Sequence, residues 1–276
     1  MIIDSHVHFG NSLWGDFSPE YLLEIIGGSV DCAICSNLEG IESPCFKKEE
    51  ECNIAMLEVV KKYPMLKPLY VCQPNLFEGK EVNIKLLEEK FVGLMLHPEC
   101  LKLPADSEKY NKYLKIAQKL KKPCLYHSGH IKSRFSSPNL IYKKAREFPT
   151  VPIILGHLST GPKQSHIEAI KVLLESIEKG DATLYVDTSW IDFAYEKLDE
   201  TYEDTLMLIK SLQNTSKGDF THRILWASDC PVGKFNQDKD LYKRNLHIFK
   251  QKILENFDEK LLENLLSNNA RKLYGF

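Results

Sequence analysis

The sequence predicts an α/β protein of the (β/α)8-barrel (TIM barrel) class, and three observations carry that prediction. Eight short apolar runs alternate with amphipathic helical patterns along 276 residues, a length that suits one such barrel. The runs are continuously apolar and rich in Val, Ile and Leu, as strands covered by helices on their outer face are. Several of them end in His or Asp, and in a closed barrel those ends converge on one rim.

The runs fall at 1–6, 30–36, 66–72, 91–97, 123–127, 151–157, 183–187 and 223–229. Helical patterns occupy 19–26, 47–63, 82–90, 107–121, 138–148, 163–179 and 200–214 between them, with 239–256 and 259–273 after the last. Pro19 and Pro138 stand in first turns, where the missing N–H has no helical partner to lose. Asp106 with Ser107, and Gly161 with Pro162, read as helix starts, and Gly180 as a stop. The stretch 37–44 carries Gly40, Ser43 and Pro44 and reads as an active-site loop. No repeat, low-complexity tract or polar linker divides the chain, so one domain over 1–276 is expected. Pattern alone admits an open doubly wound sheet as well as a barrel; the polar strand ends favour the barrel.

Composition excludes several function classes. A formal net charge of −2 gives no reason to expect nucleic acid or an anionic membrane as partner. The N-terminal MIIDSHVHFG lacks the basic and apolar regions of a secretory signal, and no segment is long and apolar enough to span a bilayer. Eight cysteines are spread through apolar runs with no paired CxxC, and an extended strand would point Cys32 and Cys35 to opposite faces. The expectation is a reduced cytoplasmic protein.

The chemistry-bearing signal lies at the strand ends. The first run continues into Asp4-Ser5-His6-Val7-His8, the fourth ends in His97, the fifth in His127-Ser128-Gly129-His130, the sixth in His157, the seventh in Asp187-Thr188-Ser189 and the eighth in Ser228-Asp229. Packing alone does not explain this, because an unpaired buried polar group costs roughly 1–3 kcal/mol. Residues two apart on a strand share a face, so His6 and His8 can offer two imidazole nitrogens to one ion. Asp229 would join them from the last strand if the sheet closes, and His127 would complete a mixed N/O set. Such a set suits one divalent ion, Zn²⁺ first, with Mn²⁺, Fe²⁺ or Co²⁺ compatible by ligand type. His157 is read as the residue that bonds to water or moves a proton, with Asp229 a second candidate base. His166, His222 and His247 read as packing or surface residues.

The segments IIDSHVHFG, CLYHSGH, PIILGHLSTG, LYVDTSW, RILWASDCP and NNARKLYGF together resemble the amidohydrolase superfamily. The branch they resemble is the amidohydrolase-related one, which includes aminocarboxymuconate-semialdehyde decarboxylase, other acid decarboxylases and some lactone hydrolases. The resemblance covers essentially the whole chain in order. It implies metal binding at His6, His8, His127 and Asp229, activation of water or substrate at His157, and assembly as a homodimer. Met95 stands near the place where dinuclear relatives show a lysine, which implies one metal rather than two. Only residues 11–18 separate the first strand from Pro19, where the decarboxylases typically carry an inserted segment.

The expected reaction is therefore hydrolysis of an ester, lactone or amide bond in a small carboxylated substrate, with non-oxidative decarboxylation of a small unsaturated or aromatic acid as the alternative. A non-catalytic metal- or ligand-binding role is the reading from a different class. Substrate contacts are expected from Trp14, His97, His130, Arg134 and Trp190, with Lys132 as an alternative cation beside Arg134.

Overall fold

In the computed structural model, residues 43–46, 75–81, 192, 195–196, 199–200 and 237 lie outside the description, as do the side chains of 193–194, 197–198, 234 and 236. The end of the predicted loop 37–44, Cys45 and the first residue of the predicted helix 200–214 therefore fall outside the described residues.

The apolar runs become strands β1 (Ile3–Ser12), β3 (Cys32–Asn37), β4 (Leu66–Val71), β5 (Gly93–Leu96), β6 (Cys124–His127), β7 (Ile153–Gly156), β8 (Leu184–Asp187) and β11 (Ile224–Leu225). Two-residue strands β9 (Phe193–Ala194) and β10 (Lys197–Leu198) form a separate antiparallel pair, and β2 (Gly15–Phe17) turns back antiparallel on β1. The main sheet runs β11-β8-β7-β6-β5-β4-β3-β1-β2. All pairings from β1 through β3 round to β11 are parallel.

Backbone bonds close this sheet into a barrel. Ser5 N–H donates to Trp226 O at 3.0 Å, Asp229 N–H to His6 O at 2.8 Å and His8 N–H to Cys230 O at 2.8 Å. The seam is irregular, which is why the predicted strand 223–229 shrinks to Ile224–Leu225. Beyond Leu225 the donors find other acceptors: Trp226 N–H meets Leu265 O at 3.2 Å, Ala227 N–H meets Thr188 Oγ1 at 3.2 Å and Ser228 N–H meets Asp4 Oδ1 at 3.1 Å. Asp4 is fully buried, also receives Ser228 Oγ and Tyr242 Oη, and is pushed by burial up to about 6. It fastens the first strand to the last just below the two histidines.

Alternation along the strands sorts the apolar side chains into two layers. Ile3, Ile34, Leu69, Met95, Leu125 and Leu225 fill the barrel interior. Cys35, Tyr70, Leu96, Tyr126, Leu155 and Val186 face outward, onto the surrounding helices. Cys32 belongs to the inner cluster and Cys35 to the outer, as their spacing requires. The cysteines among the described residues are free thiols.

The helices start and stop where the local chemistry says. Pro19–Ile26 is capped by Ser18 and carries Pro in its first turn, and Lys163–Lys179 ends at left-handed Gly180. The predicted helix 107–121 begins as a 3₁₀ turn, Glu108–Tyr110, before Asn111–Leu120. The predicted helix 259–273 is interrupted by a π segment, Asn264–Asn268. There Leu265 O leaves its helical partner to serve the last strand. Among the described residues, no helix is long and apolar enough to cross a membrane.

Candidate metal centre

His6 and His8 lie on one face of β1, with Val7 turned to the outer core between them. Both rings are buried and held at their far nitrogens. His6 Nδ1–H donates to Asp187 Oδ2 at 2.9 Å, and His8 Nδ1 is hydrogen-bonded to Ser36 Oγ at 2.7 Å. The Nε2 atoms are thereby aimed at Asp229. His8 Nε2 meets Asp229 Oδ1 at 2.8 Å, and His6 Nε2 stands 3.4 Å from the same oxygen.

These three donors fit a divalent cation. One ligand atom from each of His6, His8 and Asp229 lies within 4.8 Å of the others. A tetrahedral ion with N and O ligands at about 2.0–2.2 Å separates them by about 3.4 Å, which the His6–Asp229 pair already matches. His6 Nε2 is buried and makes no hydrogen bond among the described residues. A buried polar atom without a hydrogen bond, set beside a carboxylate, fits a cation ligand.

The electrostatics agree. Burial opposes charge on His6, yet Asp187 and Asp229 outweigh it and hold the ring above its ordinary value. Burial likewise works against the Asp229 carboxylate, but His157, His8 and His6 hold it well below the usual range. The field that favours a proton at His6 Nε2 favours a dication there.

His157 lies beside His6, with ring centroids 5.0 Å apart. Its Nδ1–H donates to Ser189 Oγ at 2.8 Å, and Ser189 in turn donates to Asp187 Oδ1. His157 Nε2 is left toward the cavity and meets His127 Nδ1 at 3.2 Å. Burial lowers His157 below the ordinary imidazole value, so the ring is a neutral proton acceptor near pH 7.

His127, the fourth expected ligand, lines the same cavity. No set of three ligand atoms among the described residues includes it. It stands further round the rim, against His157 on one side and stacked on His97 at 4.0 Å on the other.

These groups line one cavity of about 240 Å³, together with Trp14, Leu38, Glu42, Met95, Glu99, Cys100, Thr160, Trp190 and Val232. Trp14 and Trp190 are therefore wall residues. Trp14 stands at the tip of the β1–β2 hairpin, where the sequence suggested only a loop. Trp190 Nε1–H donates to Asp229 Oδ2 at 2.5 Å, and its ring lies where a Cβ on Gly233 would come within 2.7 Å of it. His130 and Arg134 are not among the described residues that line the cavity. His130 Nδ1 accepts Lys132 N–H at 2.9 Å within its own loop. Arg134 is exposed and stacks on Phe135 at 4.8 Å. Lys132 is exposed as well. Among the described lining residues there is no Lys or Arg.

Backbone strain is concentrated at the same rim. His157, Trp190 and Asp229 have φ of 65°, 63° and 66°, a left-handed conformation that costs non-glycine residues on the order of 1–3 kcal/mol each. Asp187 stabilises two of these turns by accepting the N–H of His157 at 2.9 Å and of Ser189 at 3.1 Å. Its strand-end position was visible in sequence, but its hold on both His6 and the His157 turn was not. Asp187→Asn should therefore weaken divalent-ion affinity roughly 10–100-fold. Calorimetric titration with Zn²⁺ checks this, and unchanged affinity would remove Asp187 from the centre.

Glu42 was not anticipated. Burial raises its carboxyl to about 7, against hydrogen bonds from Cys100 and Trp14. A carboxyl raised on folding contributes stability that is complete below its unfolded value of about 4.5 and is lost as pH rises through 7. Metal-free protein should thus lose on the order of 2 kcal/mol more between pH 5 and pH 8 than Glu42→Gln does, after allowance for its partly exposed setting. Denaturant unfolding at the two pH values measures this, and parallel losses would contradict it.

Comparison with known proteins adds the following. A family model described as amidohydrolase matches residues 48–276. No curated protein matches the chain. Among solved structures, the chain is similar to an amidohydrolase from Burkholderia multivorans with bound zinc, at 11% identity and TM-score 0.65, covering 100% of this chain and 99% of that one. It is similar to dihydroorotase from Campylobacter jejuni at 18% identity and TM-score 0.63, covering 100% and 83%. It is also similar to 5-carboxyvanillate decarboxylase from Novosphingobium aromaticivorans, complexed with manganese and 4-hydroxy-3-methoxy-5-nitrobenzoic acid, at 12% identity and TM-score 0.66, covering 100% and 96%. At these identities the likeness is one of fold.

Proposed function

Because the chain belongs to the amidohydrolase family, we propose that it is a metal-dependent hydrolase acting on an ester, lactone or amide bond of a small carboxylated substrate. The observation that carries this reading is the buried His6 Nε2, without a hydrogen bond among the described residues and 3.4 Å from Asp229 Oδ1 with His8 Nε2 on the same oxygen. A divalent ion, zinc in the first instance, would polarise a carbonyl there and bring the pKa of a water toward 7. His6, His8 and Asp229 would hold that ion. His127 is the fourth candidate ligand by its place in the same cavity.

The remaining work falls to the chain's own side chains. Asp187 fixes the His6 ring, and Trp190 occupies Asp229 Oδ2, which leaves Asp229 poorly placed to take a proton while it would hold the ion. Proton transfer therefore falls to His157 Nε2, whose other nitrogen is committed to Ser189. Trp190 and the half-exposed Trp14 form part of the cavity wall, and a volume of about 240 Å³ admits only a small molecule.

The deciding experiment is a panel of small carboxylated esters, lactones and amides together with unsaturated and aromatic acids, incubated with zinc-replete protein. Acid or amine release is followed alongside carbon dioxide. Hydrolysis product without carbon dioxide is the expected result. Carbon dioxide without a hydrolysis product would replace the proposal with decarboxylation, and turnover of neither would favour a binding role.

A further inference from the structure

The cavity contains a second set of donor atoms that the chemistry above leaves unused. Glu42 follows the turn after β3, His97 ends β5, and Cys100 lies in the short helix Pro98–Leu101. All three line the cavity, and one ligand atom from each lies within 4.8 Å of the others. Cys100 Sγ is 3.5 Å from Glu42 Oε2 and 3.7 Å from His97 Nε2. A tetrahedral ion bound at about 2.3 Å to sulfur and about 2.0–2.2 Å to nitrogen or oxygen spaces such ligand atoms by about 3.6 Å. The two contacts to sulfur therefore already stand at ligand spacing.

The charge balance points the same way. Burial and Asp229 both raise the Glu42 carboxyl, and the opposing influences are hydrogen bonds from Cys100 and Trp14 rather than a cation. Burial and Glu42 likewise push the Cys100 thiol far up. A dication reverses both effects, since a coordinating thiol is deprotonated outright and a carboxylate gains an opposite charge.

We propose that Glu42, His97 and Cys100 form a second divalent-cation site, sulfur-containing and suited to zinc-like ions, on the cavity wall apart from His6, His8 and Asp229. The thiolate separates its preference from that of the first set, which offers only nitrogen and oxygen. His97 Nδ1 accepts Cys100 N–H at 3.1 Å as the helix cap. Binding through Nε2 moves the ring proton to Nδ1 and opens that bond, an adjustment confined to this short helix. The bound cation would present positive charge to the cavity, where the described lining residues supply no Lys or Arg.

Cadmium is the probe, because only a thiolate ligand gives its ultraviolet charge-transfer band. Metal-free protein titrated with Cd²⁺ should bind two equivalents, one of them carrying the band. Cys100→Ser should lose the band and one equivalent, and Glu42→Gln should keep the band while binding that equivalent at least about 10-fold more weakly. His97→Gln, with the same expected weakening, replaces Cys100→Ser should that variant not fold. No band at saturating Cd²⁺, or a band undiminished in Cys100→Ser, overturns the site. One equivalent with the band supports it and counts against the His6 set; one without the band does the reverse.

Discussion

Zinc at about 1,000 times its dissociation constant is expected to stabilise the metal-free chain by about 4 kcal/mol. At about 2–4 °C per kcal/mol for a chain near this size, the unfolding midpoint should rise by roughly 8–16 °C. The reason is the cost already built into the metal-free site. His6 Nε2 is buried without a hydrogen bond among the described residues, and His157, Trp190 and Asp229 are held left-handed around it. An ion that binds only the folded arrangement offsets that cost by mass action. The measurement is best made in a Cys100→Ser background, so that zinc reports on His6, His8 and Asp229 alone. Asp229→Asn should then abolish most of the shift, because it removes the charge that both histidines face. A midpoint that does not move with zinc would end the metal reading, and with it the proposed hydrolysis.

His157→Gln should reduce kcat by about 10²–10⁴-fold, the usual contribution of a positioned acid–base group. Zinc affinity should change little, because His157 is bonded through Nδ1 to Ser189 and meets His127 with Nε2. Glutamine preserves much of the shape and a polar end but has no proton to exchange near neutral pH. The split is diagnostic: a loss of turnover with zinc retained assigns proton transfer, whereas parallel losses would make His157 a ligand. Full turnover in the variant would return the proton to Asp229, against the Trp190 bond to its second oxygen.

Much of this site was legible in the chain. The pairing of His6 with His8 follows from strand alternation, and the recurrence of His or Asp at the ends of apolar runs announced a common rim. The helix starts at Ser18–Pro19 and the stop at Gly180 needed nothing beyond local backbone chemistry. Misreadings arose where a distant group captured a local one. The last strand looked regular to Asp229, but Leu265, Thr188 and Asp4 take its backbone donors. Arg134, one of two cations the sequence offered for a carboxylate beside a solvent-exposed reading, is exposed and stacks on Phe135.

The sequence by itself determined the strand and helix order, the inward face of β1 and the kinds of donor at the rim, because these depend on periodicities of a few residues. Tertiary structure decided which donors meet. His6 finds Asp187 across 181 positions and His8 finds Asp229 across 221, distances over which no local pattern carries information. Closure of the barrel fixes those partners, turns His127 toward His157, and brings Glu42 onto the thiol of Cys100. Each such contact is set by the stagger of strands around the ring, a property of the whole sheet and of no single segment in it.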